Sequence, residues 1–175
     1  MSPFDQRTAH LTVFSFKEGL LSRVAHDLEL RVTRFSGQVE GGMIKVVVDA
    51  GSLEVAHALK GGRADPGALS PANKAEIKEN LDKAVLDAAH HPEIVFTAPL
   101  GPSPSGPLRG ELRLRGQTRP VTLSVTAEGD ALVGEATLHQ PDFGIKPFTA
   151  LLGALKVKAD VRVVARVPRS ALGEG

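Results

Sequence analysis

The chain of 175 residues contains no cysteine, no tryptophan and no tyrosine, and phenylalanine occurs seven times. Without cysteine there is no disulfide, no thiolate metal ligand and no cysteine nucleophile. Without Trp or Tyr, base-stacking platforms and aromatic cages for cations lack their usual material. An excess of one charge is missing as well: 21 Lys plus Arg stand against 20 Asp plus Glu, a formal net charge of +1. A dedicated nucleic-acid binder usually carries a strongly basic domain, and the charge balance argues against that class. No run approaches the ~18 apolar residues of a membrane-spanning helix. The opening M-S-P-F-D-Q-R-T-A-H lacks the basic segment and apolar stretch of a secretory signal. A cytoplasmic location is expected, with membrane contact at most peripheral.

What the chain has in quantity is alternation. In G-E-L-R-L-R-G-Q-T-R-P-V-T-L-S-V-T, Leu112 and Leu114 alternate with charged residues, and Val121, Leu123 and Val125 alternate with hydroxyl residues. A period of two gives each strand one apolar face and one wet face. Leu11 to Phe16 (L-T-V-F-S-F) reads as an opening strand with Phe14 and Phe16 on one face. Ser22 to Thr33 reads as a long strand with Val24, His26, Leu28, Leu30 and Val32 on its apolar side. Gly41-Gly42 is a two-residue hairpin turn. It leads into a strand that puts Ile44, Val46 and Val48 on one face. Leu155 to Val167 reads as one long final strand, and residues 61–70 as mostly loop. The count is about eight strands, spaced as in antiparallel β proteins.

One helix interrupts them, over about residues 71–89. Ser70 suits the N-cap and Pro71 the first helical position. Ile77, Leu81, Ala84, Val85 and Ala88 recur at helical spacing as a buried stripe. Pro92 sets the end, because a residue before proline disfavours α geometry. His91 is expected at the helix terminus, facing its negative end. The single domain runs over residues 8–168, and 169–175 are expected to be a disordered tail.

Four motifs carry a resemblance: His91-Pro92-Glu93-Ile94-Val95-Phe96 after the helix, Gly110-x-Leu112-x-Leu114-x-Gly116-x-Thr118-Arg119-Pro120-Val121, the late Phe143-Gly144-Ile145 and the early Phe35-Ser36-Gly37. In this order they resemble the YceI-like, polyisoprenoid-binding family over roughly residues 10 to 167. That resemblance implies an all-β, extended, lipocalin-like antiparallel barrel, here of eight strands, with the helix against one side. It also implies a long apolar tunnel for an isoprenoid or a similar lipid.

The expected channel lining is Phe14, Phe16, Val24, His26, Leu28, Leu30, Val46, Val48, Phe96, Leu112, Leu114, Leu123, Phe143 and Phe148. Medium-sized aliphatic walls can leave room for one ligand inside about eight strands. His26 has two readings: a polar anchor for a lipid headgroup, or a buried histidine bonded to a neighbouring strand. No catalytic residue and no metal site is assigned. His26 and Asp27 are adjacent in a strand and point to opposite faces. Metal ligation by His90 and His91 would need carboxylate or histidine partners converging from other segments, and no H-x-x-E-H or H-E-x-x-H pattern is present. Arg109, Arg113, Arg115 and Arg119 form a basic strip beside Glu111, either a lipid-surface contact or a solvated face, and Arg119 is expected to bridge to a carboxylate.

These features point to non-catalytic binding, storage or transport of a long apolar molecule: a polyisoprenoid, an isoprenoid quinone or a fatty amide. No cofactor is expected beyond such a bound lipid. No nucleic-acid partner is expected, and a sheet edge could carry a homodimer. Two rivals stay open: an enzyme on a lipid-like substrate with His26 as base, and a stress-response barrel filled by its own side chains.

Overall fold

The computed structural model describes residues 3–18, 26–150 and 155–173. In chain order the strands are β1 (Phe4–Asp5), β2 (His10–Ser15), β3 (Lys17–Glu18), β4 (Asp27–Val32), β5 (Phe35–Glu40), β6 (Met43–Asp49), β7 (Leu53–Lys60) and β8 (Arg63–Asp65). Helix α1 (Pro71–Asn80) follows. The remaining strands are β9 (Glu93–Pro99), β10 (Gly106–Leu114), β11 (Gln117–Glu128), β12 (Ala131–His139), β13 (Thr149–Ala150), β14 (Leu155–Val157) and β15 (Asp160–Pro168). Twelve strands form one sheet in the order β1-β5-β6-β9-β10-β11-β12-β15-β2-β4-β7-β8. All its pairings are antiparallel, and it curls into a half-barrel of the expected lipocalin-like kind. A small second sheet runs β13-β14-β3.

The expectation of about eight strands undercounts, for local reasons. Gly61-Gly62 is not plain loop but a second tight hairpin, joining β7 to β8 with both φ angles positive, at 60° and 78°. Glycine meets that demand without a Cβ clash, as at Gly41-Gly42. The expected long final strand is two, β14 and β15, broken at Lys158 and Ala159. The long strand expected from Ser22 begins at Asp27 among the described residues, and Val24 lies outside them. The expected disordered tail begins instead with a 3-10 turn, Arg169–Leu172, which buries Ala171.

Helix α1 starts where the sequence says. The Ser70 hydroxyl accepts from the Asn73 backbone N–H and the Asn73 side chain accepts from the Ser70 N–H, both at 3.1 Å. This reciprocal arrangement satisfies two of the donors that a helix start leaves without partners. Its end differs from the expected residue 89. After Asn80 the chain widens into a π turn, Leu81–Val85, marked by Leu86 N–H donating to Leu81 O at 2.9 Å. The extra residue rotates the apolar stripe, so Ala84 is exposed while Leu81 and Leu86 are buried. Asp87 then takes φ 48°, and its carbonyl accepts from His90 and His91 N–H. His91 therefore lies beyond the helix and does not end it.

The helix covers an open sheet edge. β8 pairs only with Ala58, Leu59 and Lys60, so the first part of β7 has no strand on that side. The Lys78 ammonium donates to Gly51 O and Leu53 O, each at 2.7 Å, and to Asp82 Oδ1 at 3.0 Å. One turn back, Lys74 reaches Ala56 O at 3.4 Å, where β7 bulges against β4. Two lysines at i and i+4 thus bond the backbone carbonyls of an edge that would otherwise invite another strand.

Two glycines let aromatic rings lie close against the sheet. A Cβ at Gly37 would stand inside the ring of Phe4, so β1 can lay that ring on β5. A Cβ at Gly110 would collide with Thr97 O and with the ring of Phe96, so β9 and β10 can approach closely.

Candidate functional site: an apolar cavity

The concave side of the sheet encloses a cavity of about 550 Å³. Its walls follow the strand register. Val13 stands opposite Leu30 on one side and Val163 on the other, and all three face inward. Leu132 pairs with Val167, and Leu123, Val125, Val161 and Ala165 continue the same face. Helix α1 and the π turn contribute Ile77, Leu81, Val85 and Leu86. The interior has room partly because β12 and β15 present small residues. Gly134, Ala136 and Ala165 all face inward, and a Cβ at Gly134 would lie 3.0 Å from Leu123 Cδ2.

Of the expected lining residues, Leu28, Leu30, Val46, Val48, Phe96, Leu112, Leu114, Leu123, Phe143 and Phe148 border the cavity, and so does His26. Phe14 and Phe16 do not. Leu11, Val13 and Ser15 face inward on β2, and Phe14 lies on the outer side with the Arg162 guanidinium 5.3 Å above its ring. The segment L-T-V-F-S-F carries apolar residues at both parities, and only the partners of Val13 decide which parity turns inward. His26 is exposed at the rim and is not the buried histidine of the second reading. Its neighbour Asp27 accepts the Lys17 backbone N–H at 2.8 Å and is a structural acceptor in this arrangement.

The polar lining residues are Ser15, Lys17, His26, Asn80, Gln140 and Lys156. Gln140 is buried, and its amide donates to Lys158 O at 3.0 Å, so it ties the start of the 3-10 turn Gln140–Phe143 to the chain before β15. Lys17, Gln140 and Lys156 escape a reading by apolar alternation because they are polar, and nothing in their spacing marks them.

Phe143 and Ile145, both 3 % exposed, line part of the cavity. Two arginines of the β10–β11 hairpin bond the turn that carries these side chains. Arg115 donates to Gly144 O at 3.0 Å and Arg119 to Asp142 O at 3.1 Å. Arg119 therefore bonds a carbonyl and not the carboxylate expected for it. The basic strip divides accordingly: Arg115 and Arg119 hold a turn, while Arg109 and Arg113 stand on the exposed face of β10.

His90 and Asp87 form a pair at 2.7 Å beyond the helix. The hydrogen bond between them holds the Asp87 carboxyl below its ordinary range and raises the His90 imidazole above its own. Among the described residues there is no group of three or more His, Asp or Glu placed to hold a metal ion.

An antiparallel half-barrel that wraps an aliphatic cavity, with one helix over its edge, defines the lipocalin-like class of binding folds. The YceI-like domain model matches residues 4–168, and the chain belongs to that family. No curated protein sequence matches the chain. Among solved structures it is similar to BcnA of Burkholderia cenocepacia, with 17 % identity, TM-score 0.60, and coverage of 93 % of this chain and 96 % of that one. It is also similar to a polyisoprenoid binding domain from Saccharophagus degradans, with 13 % identity, TM-score 0.55, and coverage of 91 % and 94 %.

Proposed function

We propose that the protein binds one long apolar molecule in this cavity, a polyisoprenoid, an isoprenoid quinone or a fatty amide, and stores or carries it without chemical change. The observation that supports this most directly is the wall itself. Aliphatic residues from most strands of the main sheet and from the helix border a volume within the usual range of ligand pockets, roughly 300–1,000 Å³. The solved domain from Saccharophagus degradans is described as polyisoprenoid binding, which agrees with the reading. Burial of the chain supplies the driving force, at about 0.8 kcal/mol per methylene, so affinity rises with chain length. A ten-carbon segment gains about 8 kcal/mol on that scale, comparable with the cost of association. Extraction of natively purified protein with organic solvent, followed by mass spectrometry, tests the proposal. An intact long-chain lipid supports it. A chemically altered product points to an enzyme, and an empty extract points to a barrel that functions without a guest.

A further inference from the structure

Of the described residues that border the cavity, His26, Phe148 and Lys156 are exposed, and all the others are buried or half-buried. Phe148 is the informative one. It is 37 % exposed, and a large apolar side chain left in water asks for a reason. A ring that meets both solvent and the cavity stands where the wall is open or no thicker than the ring itself. The hydrogen bonds place the three exposed residues together. Val157 N–H donates to Phe148 O at 3.0 Å, and Val157 pairs with Lys17 across the small sheet. Lys17 N–H donates to Asp27 Oδ1 at 2.8 Å, next to His26. Phe148, Val157 and Lys17 thus follow one another across β14 and β3, and each borders the cavity. Lys156 and Val157 are also consecutive in a strand and both border it, whereas on every other strand the lining residues are at least two apart. Side chains of opposite parity point to opposite faces, so both can meet one space at the lip of a wall but not within it.

We infer that the small sheet frames the mouth of the cavity, and that an apolar guest enters and leaves between Phe148 and His26. The inference rests on the proposed lipid-binding function and adds its route. It separates two roles among the lining residues: those of the main sheet set affinity, while Phe148 and His26 set the rates of entry and release.

The chain has no cysteine, so a single introduced thiol carries a bulky maleimide at one place only. Phe148→Cys and His26→Cys put that group at the mouth. Met43→Cys is the control, because Met43 is 43 % exposed and does not border the cavity. Stopped-flow fluorescence follows the uptake of Nile red and, from protein labelled after loading, its release. Thermal melts confirm that each labelled protein is folded. Labels at Phe148→Cys and His26→Cys should slow uptake and release alike, by about tenfold or more, against the same variants unlabelled. Equal slowing of both leaves Kd within about twofold. Labelled Met43→Cys should keep its unlabelled rates. Uptake at the unlabelled rate in either mouth variant overturns the inference and leaves lipid binding intact. So does a weaker Kd with release not slowed, which would mean that the label fills the interior and does not block a route. If the native protein takes up no dye and yields no lipid on extraction, the binding function falls and the mouth with it.

Discussion

The imidazole of His91 packs on Gly116, with its Cε1 3.1 Å from where a Cβ at that glycine would stand. This contact joins two of the motifs that mark the family, the His-Pro segment before β9 and the Gly-x-Thr-Arg segment of the β10–β11 hairpin. Arg115 and Arg119 of the same hairpin then reach the carbonyls of Gly144 and Asp142, which brings in the Phe-Gly-Ile segment. Three motifs far apart in the chain thus meet beside Phe143 and Ile145, which are buried and line the cavity.

Gly116 should be intolerant of a side chain for two reasons. Its φ is +75°, a conformation in which a Cβ costs about 1–2 kcal/mol, and His91 would have to move. Gly116→Ala is expected to lower unfolding free energy by about 1–3 kcal/mol, read from urea midpoints at constant m. A loss under about 0.5 kcal/mol would show that the contact carries no weight.

Lys78 should help to seat the helix through the bonds its ammonium makes. Met has nearly the same helix propensity, so Lys78→Met removes the bonds to Gly51 O and Leu53 O, together with the ion pair to Asp82, while keeping an apolar stem. A loss of about 1–2 kcal/mol is expected, with faster amide exchange in α1. Unchanged exchange in α1 would mean that apolar contacts alone seat the helix.

Phe14 lies outside the cavity, beneath Arg162. Phe14→Leu should cost about 0.5–1 kcal/mol of stability through the lost cation–π contact. It should leave the amount of co-purifying lipid unchanged. A clear fall in lipid content would return Phe14 to the lining and refute the register of β2.

Filling the interior should exclude the guest. Ala136 faces the cavity from β12 beside Gly134, and Ala136→Phe places a ring in that space. The extracted lipid per protein is expected to drop several-fold, while the melting temperature of the lipid-free protein holds or rises. Undiminished lipid content at native stability would show that the guest does not occupy this space.

The Asp87–His90 pair predicts a titration with a defined sign. Asp87 is depressed below 3.8, so its contribution is present above that value and is lost as pH falls through the folded one. His90 is raised above 6.5, so its contribution is present below 6.5 and is lost as pH rises through the folded value. The two contributions are therefore present together between about pH 4 and 6.5. NMR titration of the His90 ring should give a midpoint above 6.5 that returns toward 6.5 in Asp87→Asn. A native midpoint at or below 6.5 would remove the pair.

Much of the fold was legible because its causes are local. The alternation of Leu112 and Leu114 with charged residues, the Gly41-Gly42 turn and the Ser70-Pro71 helix start each depend on neighbours within a few residues. The Gly61-Gly62 hairpin carried the same local signal as Gly41-Gly42, but its returning strand, Arg63–Asp65, has no apolar alternation to announce it. The π turn at Leu81–Val85 left no such mark, and one extra residue there exchanged exposed Ala84 for buried Leu86.

By itself the sequence determined that strands with one aliphatic face would wrap around a shared interior, because side-chain alternation follows from backbone geometry alone. Only the tertiary structure decided which face of β2 turns inward, that Arg119 bonds a carbonyl, and that Lys17 comes to border the cavity. Those outcomes depend on pairings between segments up to more than a hundred residues apart, such as Val13 with Val163 and Lys17 with Val157. No local preference of the chain encodes a contact made across that distance.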